Sequence, residues 1–443
     1  MGRRSRGRNV AAMVLLGALV GLPGPILATH AAAQGAAPVR ILILGDSATQ
    51  GSSGDWTWRF WLWRALRRSG VAFDFVGPRD DLYDAVRHQQ GSHDYATTID
   101  GKYPNFDRDH GARWGMALAT PDQSMTSLMT AYHPDVVIEA RGLVDVAWRG
   151  RSAAEVDELL ADEVTEARVV DPGVDFVITE LPQQWRAGVD AYNATLEPLA
   201  EVLSLPGSGV VTSDSGQGFT KGVDTWDANH FSATGEVRMA SAVEDALAAL
   251  GVGPGASTPP TVRNGHWGAA QLAARAGDRS ATLRWSGPAG IPEQVLWIRR
   301  PMIEQWTKTS YRLSGSSWVV DGLVAGEPYD FRLQAVKGGI RADAVSNVVR
   351  VVPLPQAPRR PASVAVAAGS RRLTVTWRPV AGATSYEVAW VGRTTRGHGK
   401  RVVRTGPVTI KGLVAGARYD VTVTARNAGG RGLGATVVGL PGS

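Results

Sequence analysis

Three residues, at two distant places in the chain, have the types needed for nucleophilic attack on a carbonyl: Ser47, Asp227 and His230. Ser47 stands in Gly45-Asp46-Ser47, directly after the apolar run Val39 to Leu44. Asp227 and His230 stand three apart in Asp227-Ala228-Asn229-His230-Phe231-Ser232. On one loop, such a carboxylate can accept from one imidazole nitrogen, which sets the tautomer and stabilises the imidazolium. The other nitrogen is then free to take the proton of a serine hydroxyl. Each motif alone is common: Gly-Asp-Ser also makes ordinary turns, and Asp-x-x-His is a weak signal. The elements around them decide what they mean.

Val39 to Leu44 reads as a buried strand. Trp56 to Arg68 reads as a helix, and Val71 to Gly77 as a second strand. A long polar stretch, Pro78 to Arg108, follows; a loop of that length is usually functional or mobile. Ser124 to Tyr132 looks helical, and Pro134 to Ala140 is a third strand. Ser152 with Glu155 makes a capping box for a helix that runs to Val170. Strands at 174–181 and 209–213 alternate with helices at 190–203 and 234–250. Strands alternating with helices give a parallel sheet covered on both faces. Ser47 follows the first strand, and Asp227 and His230 lie between the fifth strand and the last helix. Both sites therefore fall at the carboxyl edge of one sheet, where open α/β sheets present reactive groups. In the aromatic cluster after Ser47, Phe60 and Trp61 read as helix packing. Trp56 and Trp58 are expected to rim a substrate cleft.

The 443 residues imply two to three domains. Arg3, Arg4, Arg6 and Arg8 precede an apolar run, Val10 to Leu22, and small residues follow around Ala28 to Ala33. This is the pattern of a secretory signal peptide, residues 1–33, and predicts a secreted, extracellular protein without a membrane span once mature. An uncleaved anchor is the alternative, although Pro23 and Pro25 interrupt a run already short for a span. There is no cysteine, so thiolate metal sites and cysteine nucleophiles are excluded. Charge is divided unevenly. Residues 257–443 carry 26 basic and 9 acidic side chains, leaving 21 basic and 32 acidic before them. A basic tail on an acidic body suits contact with an anionic surface, such as an anionic polysaccharide or cell wall, or plain solvation or attraction between the two parts. No nucleic-acid module accompanies the arginines.

Gly251 to Pro260 is a linker by composition. Beyond it the pattern changes to short strands, and Trp285 and Tyr329 recur as Trp377 and Tyr419 about ninety residues later. The Leu-x-x-Gly-x-x-Tyr corners at Leu323 to Tyr329 and Leu413 to Tyr419, with the early tryptophans, resemble fibronectin type III domains. That resemblance implies two all-β sandwiches, residues 261–353 and 358–440, in which these four aromatics are structural.

Gly45-Asp46-Ser47 with Thr49 and Gly51, and Asp227-x-x-His230, make residues 38–250 resemble an SGNH, or GDSL-type, hydrolase. The segments 40–47, 73–78 and 133–138 are further similar to secreted carbohydrate esterases of the acetylxylan esterase kind. The resemblance implies a flavodoxin-like three-layer α/β/α fold. It implies Ser47 as nucleophile and oxyanion donor, His230 as general base and acid, and Asp227 as its orienter. Gly115 best matches the second oxyanion glycine, with Gly111 as the fallback. One departure matters. The family pattern Gly-x-Asn-Asp reads here Gly142-Leu143-Val144-Asp145, and valine cannot donate the third oxyanion hydrogen bond. Losing such a donor typically costs about 10²–10³ in rate.

The expected activity is hydrolysis of short acyl esters, acetyl on a polysaccharide first, through an acyl-enzyme and without metal or organic cofactor. A lipid or aryl ester is the alternative substrate. The alternative of another class is a glycan-binding or adhesion protein whose α/β domain has lost catalysis through Val144.

Overall fold

In the computed structural model, which describes residues 37–301 and 305–443, five apolar runs pair as parallel strands. They are β1 (Val39–Gly45), β2 (Phe73–Val76), β5 (Val136–Ala140), β6 (Asp175–Thr179) and β7 (Val210–Ser213), in the order β2-β1-β5-β6-β7. The three inner strands β1, β5 and β6 are apolar along most of their length because both faces are covered. Successive side chains of β1 alternate between two cores. Ile41 and Ile43 pack with α2 (Trp58–Arg68) and α8 (Ala233–Ala249). Leu42 and Leu44 pack on the other face with α6 (Ala153–Val170) and α7 (Val189–Leu203). The expected signal peptide, residues 1–33, lies outside the described residues.

The capping box at the start of α6 is present: Ser152 Oγ accepts from the Glu155 N–H, and Glu155 Oε2 from the Ser152 N–H. Other expectations shift. The helix expected from Trp56 begins at Trp58, after Thr57 caps it. A separate single turn, α1 (Ser47–Gln50), opens at the candidate nucleophile. The polar stretch 78–108 is not one loop; it carries the antiparallel ribbon β3 (Leu82–Asp84) with β4 (Gln89–Ser92) and the short helix α3 (Thr97–Lys102). Between α4 (Met125–Tyr132) and α6 lies a further short helix, α5 (Leu143–Ala147), begun by Gly142 at φ +119. Trp58 is fully buried and does not rim a cleft; Trp56 stacks on His266 at 3.9 Å.

After α8 the chain turns back. Val252 joins the core beneath α2, and the Ala256 N–H donates to Asp245 Oδ1 at 2.7 Å. Two sandwiches follow. In the first, Thr307–Ser314, Glu293–Arg299, Tyr329–Lys337 and Ile340–Arg341 form one sheet, with Val349–Val351 also on Tyr329–Lys337. Ser317–Val320, Ser280–Ser286 and Gln271–Gly277 form the other. The second repeats this plan from Ala365 to Gly439. The corner tyrosines do what the repeat predicts: Tyr329 Oη accepts from the Val324 N–H at 3.2 Å, and Tyr419 Oη from the Val414 N–H at 3.1 Å. Trp285 and Trp377 pack in the respective cores. Among the described residues no helix is long and apolar enough to cross a membrane.

Candidate active site

Ser47 is the second residue after β1. Asp46 follows the strand and caps α1: its carboxylate accepts from the Ala48 N–H at 2.8 Å, and its carbonyl from those of Thr49 and Gln50. That leaves the Ser47 N–H at the open end of the turn, with no acceptor among the described residues. Gly45 must be glycine, because a Cβ there would fall 2.3 Å from Thr49 Cβ. Asp46 is fully buried. Burial pushes its carboxyl up to about 6, against the pull of the Ala48 N–H and the charge of His230. Ser47 follows β1 and the 226–231 loop lies between β7 and α8, so both stand on the carboxyl side of the same parallel sheet.

The 226–231 loop is bound tightly. Asp227 Oδ1 accepts from the N–H groups of Asn229 (2.7 Å) and His230 (2.8 Å), while Oδ2 lies 2.8 Å from His230 Nδ1. Burial alone would raise the Asp227 carboxyl, but the His230 ring bond, the His230 charge and the two N–H groups outweigh it and hold it below the ordinary range. With Nδ1 donating to Asp227, Nε2 is the basic nitrogen. Residues after β6 hold the loop from outside. Gln183 Nε2 donates to Asn229 O, Trp185 Nε1 to Ala228 O, and Arg186 grips Asn229 Oδ1.

The His230 ring is held by stacking as well. Trp114 lies near-parallel to it at 4.2 Å and Trp226 at 4.9 Å. Trp114 stacks in turn on Tyr83, and its N–H donates to Gln50 Oε1 at 2.7 Å. No hydrogen bond joins Ser47 Oγ to His230 among the described residues; such catalytic contacts commonly tighten only with substrate bound.

The two glycine candidates separate cleanly. The Gly111 N–H is already committed to Ile43 O at 2.8 Å, and a Cβ there would strike Leu44. Gly115 is exposed, at φ +76, and its N–H has no acceptor among the described residues. It directly follows Trp114, whose ring stacks on His230. Val144 is half-buried in the first turn of α5 and offers only methyl groups. Asp145, next to it, is fully buried and takes the N–H groups of Leu118 and Ala119, tying the loop after Gly115 to α5. Arg141 does not replace the missing donor. Its guanidinium is buried in ion pairs with Glu139 and Glu163.

Sequence reasoning did not single out Trp114, Trp226, Gln183, Trp185 or Arg186. None carries a spacing signal: Trp114, Gln183, Trp185 and Arg186 meet His230 or its loop only through the fold, and Trp226, on that loop, shows its stacking on His230 only there.

Residues 356–438 match the fibronectin type III domain family model, and the second sandwich is such a domain. Among solved structures, the chain is similar to a carbohydrate esterase family 3 protein from Talaromyces cellulolyticus, with 24% identity over 48% of this chain and 97% of that one, at a TM-score of 0.40. A mutant acetyl esterase with acetate ion is similar at 23% identity over 48% and 97%, also at 0.40. A two-domain fibronectin type III segment from chicken tenascin is similar at 19% identity over 39% and 98%, at 0.25.

Proposed function

We propose that residues 38–250 form a serine esterase that removes short acyl groups, acetyl first, from a carbohydrate. The observation that carries this reading is the two-point grip of Asp227 on His230, which fixes Nε2 as a base at the sheet edge where Ser47 stands. Ser47 Oγ attacks the ester carbonyl as His230 Nε2 takes its proton. The oxyanion accepts from the N–H groups of Ser47 and Gly115. His230, now an imidazolium stabilised by Asp227, protonates the departing alcohol. It then draws a proton from water, which attacks the acyl-enzyme and releases the acid and free Ser47.

The choice of an acetylated polysaccharide rests on the segments 40–47, 73–78 and 133–138; a lipid or aryl ester would undergo the same steps. The signal-peptide pattern of residues 1–33 supports action outside the cell. A second reading is favoured by one observation: Val144 removes a donor, and no neighbouring side chain described above replaces it. On that reading the α/β domain binds glycans without turning them over. A fluorophosphonate that reacts with activated serines separates the two. The esterase reading expects labelling at Ser47 in the folded protein, and no labelling there supports the binding reading.

A further inference from the structure

Among the contacts of the first sandwich with the loops around the site is one buried cation. Lys337 ends the strand Tyr329–Lys337 and is fully buried. Its Nζ donates to Asp55 Oδ1 at 2.8 Å and to Ser53 O at 3.2 Å, both in the loop that follows α1. The same Nζ lies 5.0 Å from the centroid of the Trp226 ring, within cation–π range. The next two residues continue the contact. Gly338, at φ +56, packs so closely that a Cβ would fall 1.7 Å from Trp226 O, and the Gly339 N–H donates to that oxygen at 2.8 Å. Trp226 carries the contact onward: its ring stacks on His230, and its backbone N–H donates to His230 O at 3.0 Å.

One buried ammonium thus touches the loop on the Ser47 side and the tryptophan on the His230 side. A domain contact needs no charge for adhesion, since apolar residues of similar volume commonly serve as well or better. What an ammonium adds here is direction: hydrogen bonds to Ser53 and Asp55 on one side, and a ring face on the other. We infer that Lys337 is a positioning residue of the esterase site, clamping the Ser53–Asp55 loop to Trp226 and so setting the approach of His230 to Ser47. The inference rests on the esterase reading of that site. It makes the first sandwich part of the catalytic unit rather than an appended binding module.

The test uses the full chain with Lys337→Met, Lys337→Arg and Gly338→Ala. Misplacement of a reacting group by about 1 Å can cost about 10²-fold in rate. Lys337→Met should therefore lower kcat on p-nitrophenyl acetate by about 10- to 10²-fold and change KM little, the pattern of a lost transition-state arrangement. Lys337→Arg, which keeps the positive charge, should retain more of kcat than Lys337→Met. Gly338→Ala, which pushes on Trp226 O without removing a charge, should lower kcat in the same way and serves if Lys337→Met does not fold. The imidazole proton resonances of His230 provide a readout independent of turnover. Stacked between tryptophan rings they lie upfield, and they should move downfield in Lys337→Met and Gly338→Ala. Folded variants with unchanged kcat and unmoved His230 resonances would overturn the inference. So would an equal loss in Lys337→Arg with those resonances unmoved. Failure of the esterase reading would appear instead in the wild type, as absent turnover, and the resonances would still decide the positioning role.

Discussion

Asp227 holds His230 at two points: Oδ2 lies 2.8 Å from the ring Nδ1, and Oδ1 accepts the His230 backbone N–H, also at 2.8 Å. One carboxylate therefore sets both the tautomer of the ring and the turn that carries it. Asp227→Asn presents an amide where the ring needs an acceptor, which favours the wrong tautomer. In serine hydrolases that change typically costs about 10⁴-fold in kcat, and a loss of that order is expected on p-nitrophenyl acetate. Stability should fall too. The carboxyl is held below its ordinary range in the fold, so it contributes stability above about pH 4 that acid removes as the group protonates. Denaturant melts of Asp227→Asn and wild type should differ at neutral pH and converge toward acid.

Val144 stands in the first turn of α5, beside Asp145, which anchors the loop following Gly115. An amide there restores a donor without disturbing that anchor. Val144→Asn should raise kcat, by up to about 10²-fold, with KM little changed. Steady-state kinetics on p-nitrophenyl acetate check this. An unchanged kcat would mean that the site works with two backbone donors alone.

Asp46 is buried with its carboxyl pushed up to about 6. A carboxyl raised in this way is best accommodated protonated, so its contribution is full below about pH 4 and is lost as pH rises through about 6. Asp46→Asn keeps a good cap for α1 and has nothing to ionise. The stability of Asp46→Asn relative to wild type should therefore improve between about pH 4 and pH 6, by up to about 3 kcal/mol, and then stay level. Urea melts across that range measure it.

The second sandwich exposes Lys400, Arg401 and Arg404 on and beside its edge strand His398–Val403. Cations on a sheet edge both discourage strand pairing and attract anions. The full chain should be retained on an immobilised anionic polysaccharide at low salt and released as salt screens the charges. Replacing these three residues by Glu should weaken retention and leave p-nitrophenyl acetate turnover unchanged. Equal retention of that variant would move the contact elsewhere on the chain.

Local signals made the frame and half of the site readable from sequence. The apolar runs of β1, β5 and β6 are unambiguous because both faces of a parallel sheet are buried. Ser152 and Glu155 announced α6 because both halves of a capping box lie within four residues. Asp227 and His230 were legible for the same reason. What stayed hidden depends on distant partners. Arg141 neighbours the missing donor in sequence, yet Glu163, a helix away, draws it into the interior. Trp114 and Trp226 are ordinary tryptophans until the fold lays them on His230. Lys337 is one of many cations in a basic region, and only burial against Asp55 distinguishes it. The ribbon β3–β4 is not legible in the sequence, because β3 is only three residues long and β4 is exposed and polar.

The central claim is that Ser47 is a nucleophile activated by His230 and Asp227. The most direct measurement is turnover of p-nitrophenyl acetate by the full chain beside Ser47→Ala. The wild type should release p-nitrophenol steadily, and folded Ser47→Ala none above background. Equal release by both proteins, or none by the folded wild type on this or any longer acyl ester, would contradict it.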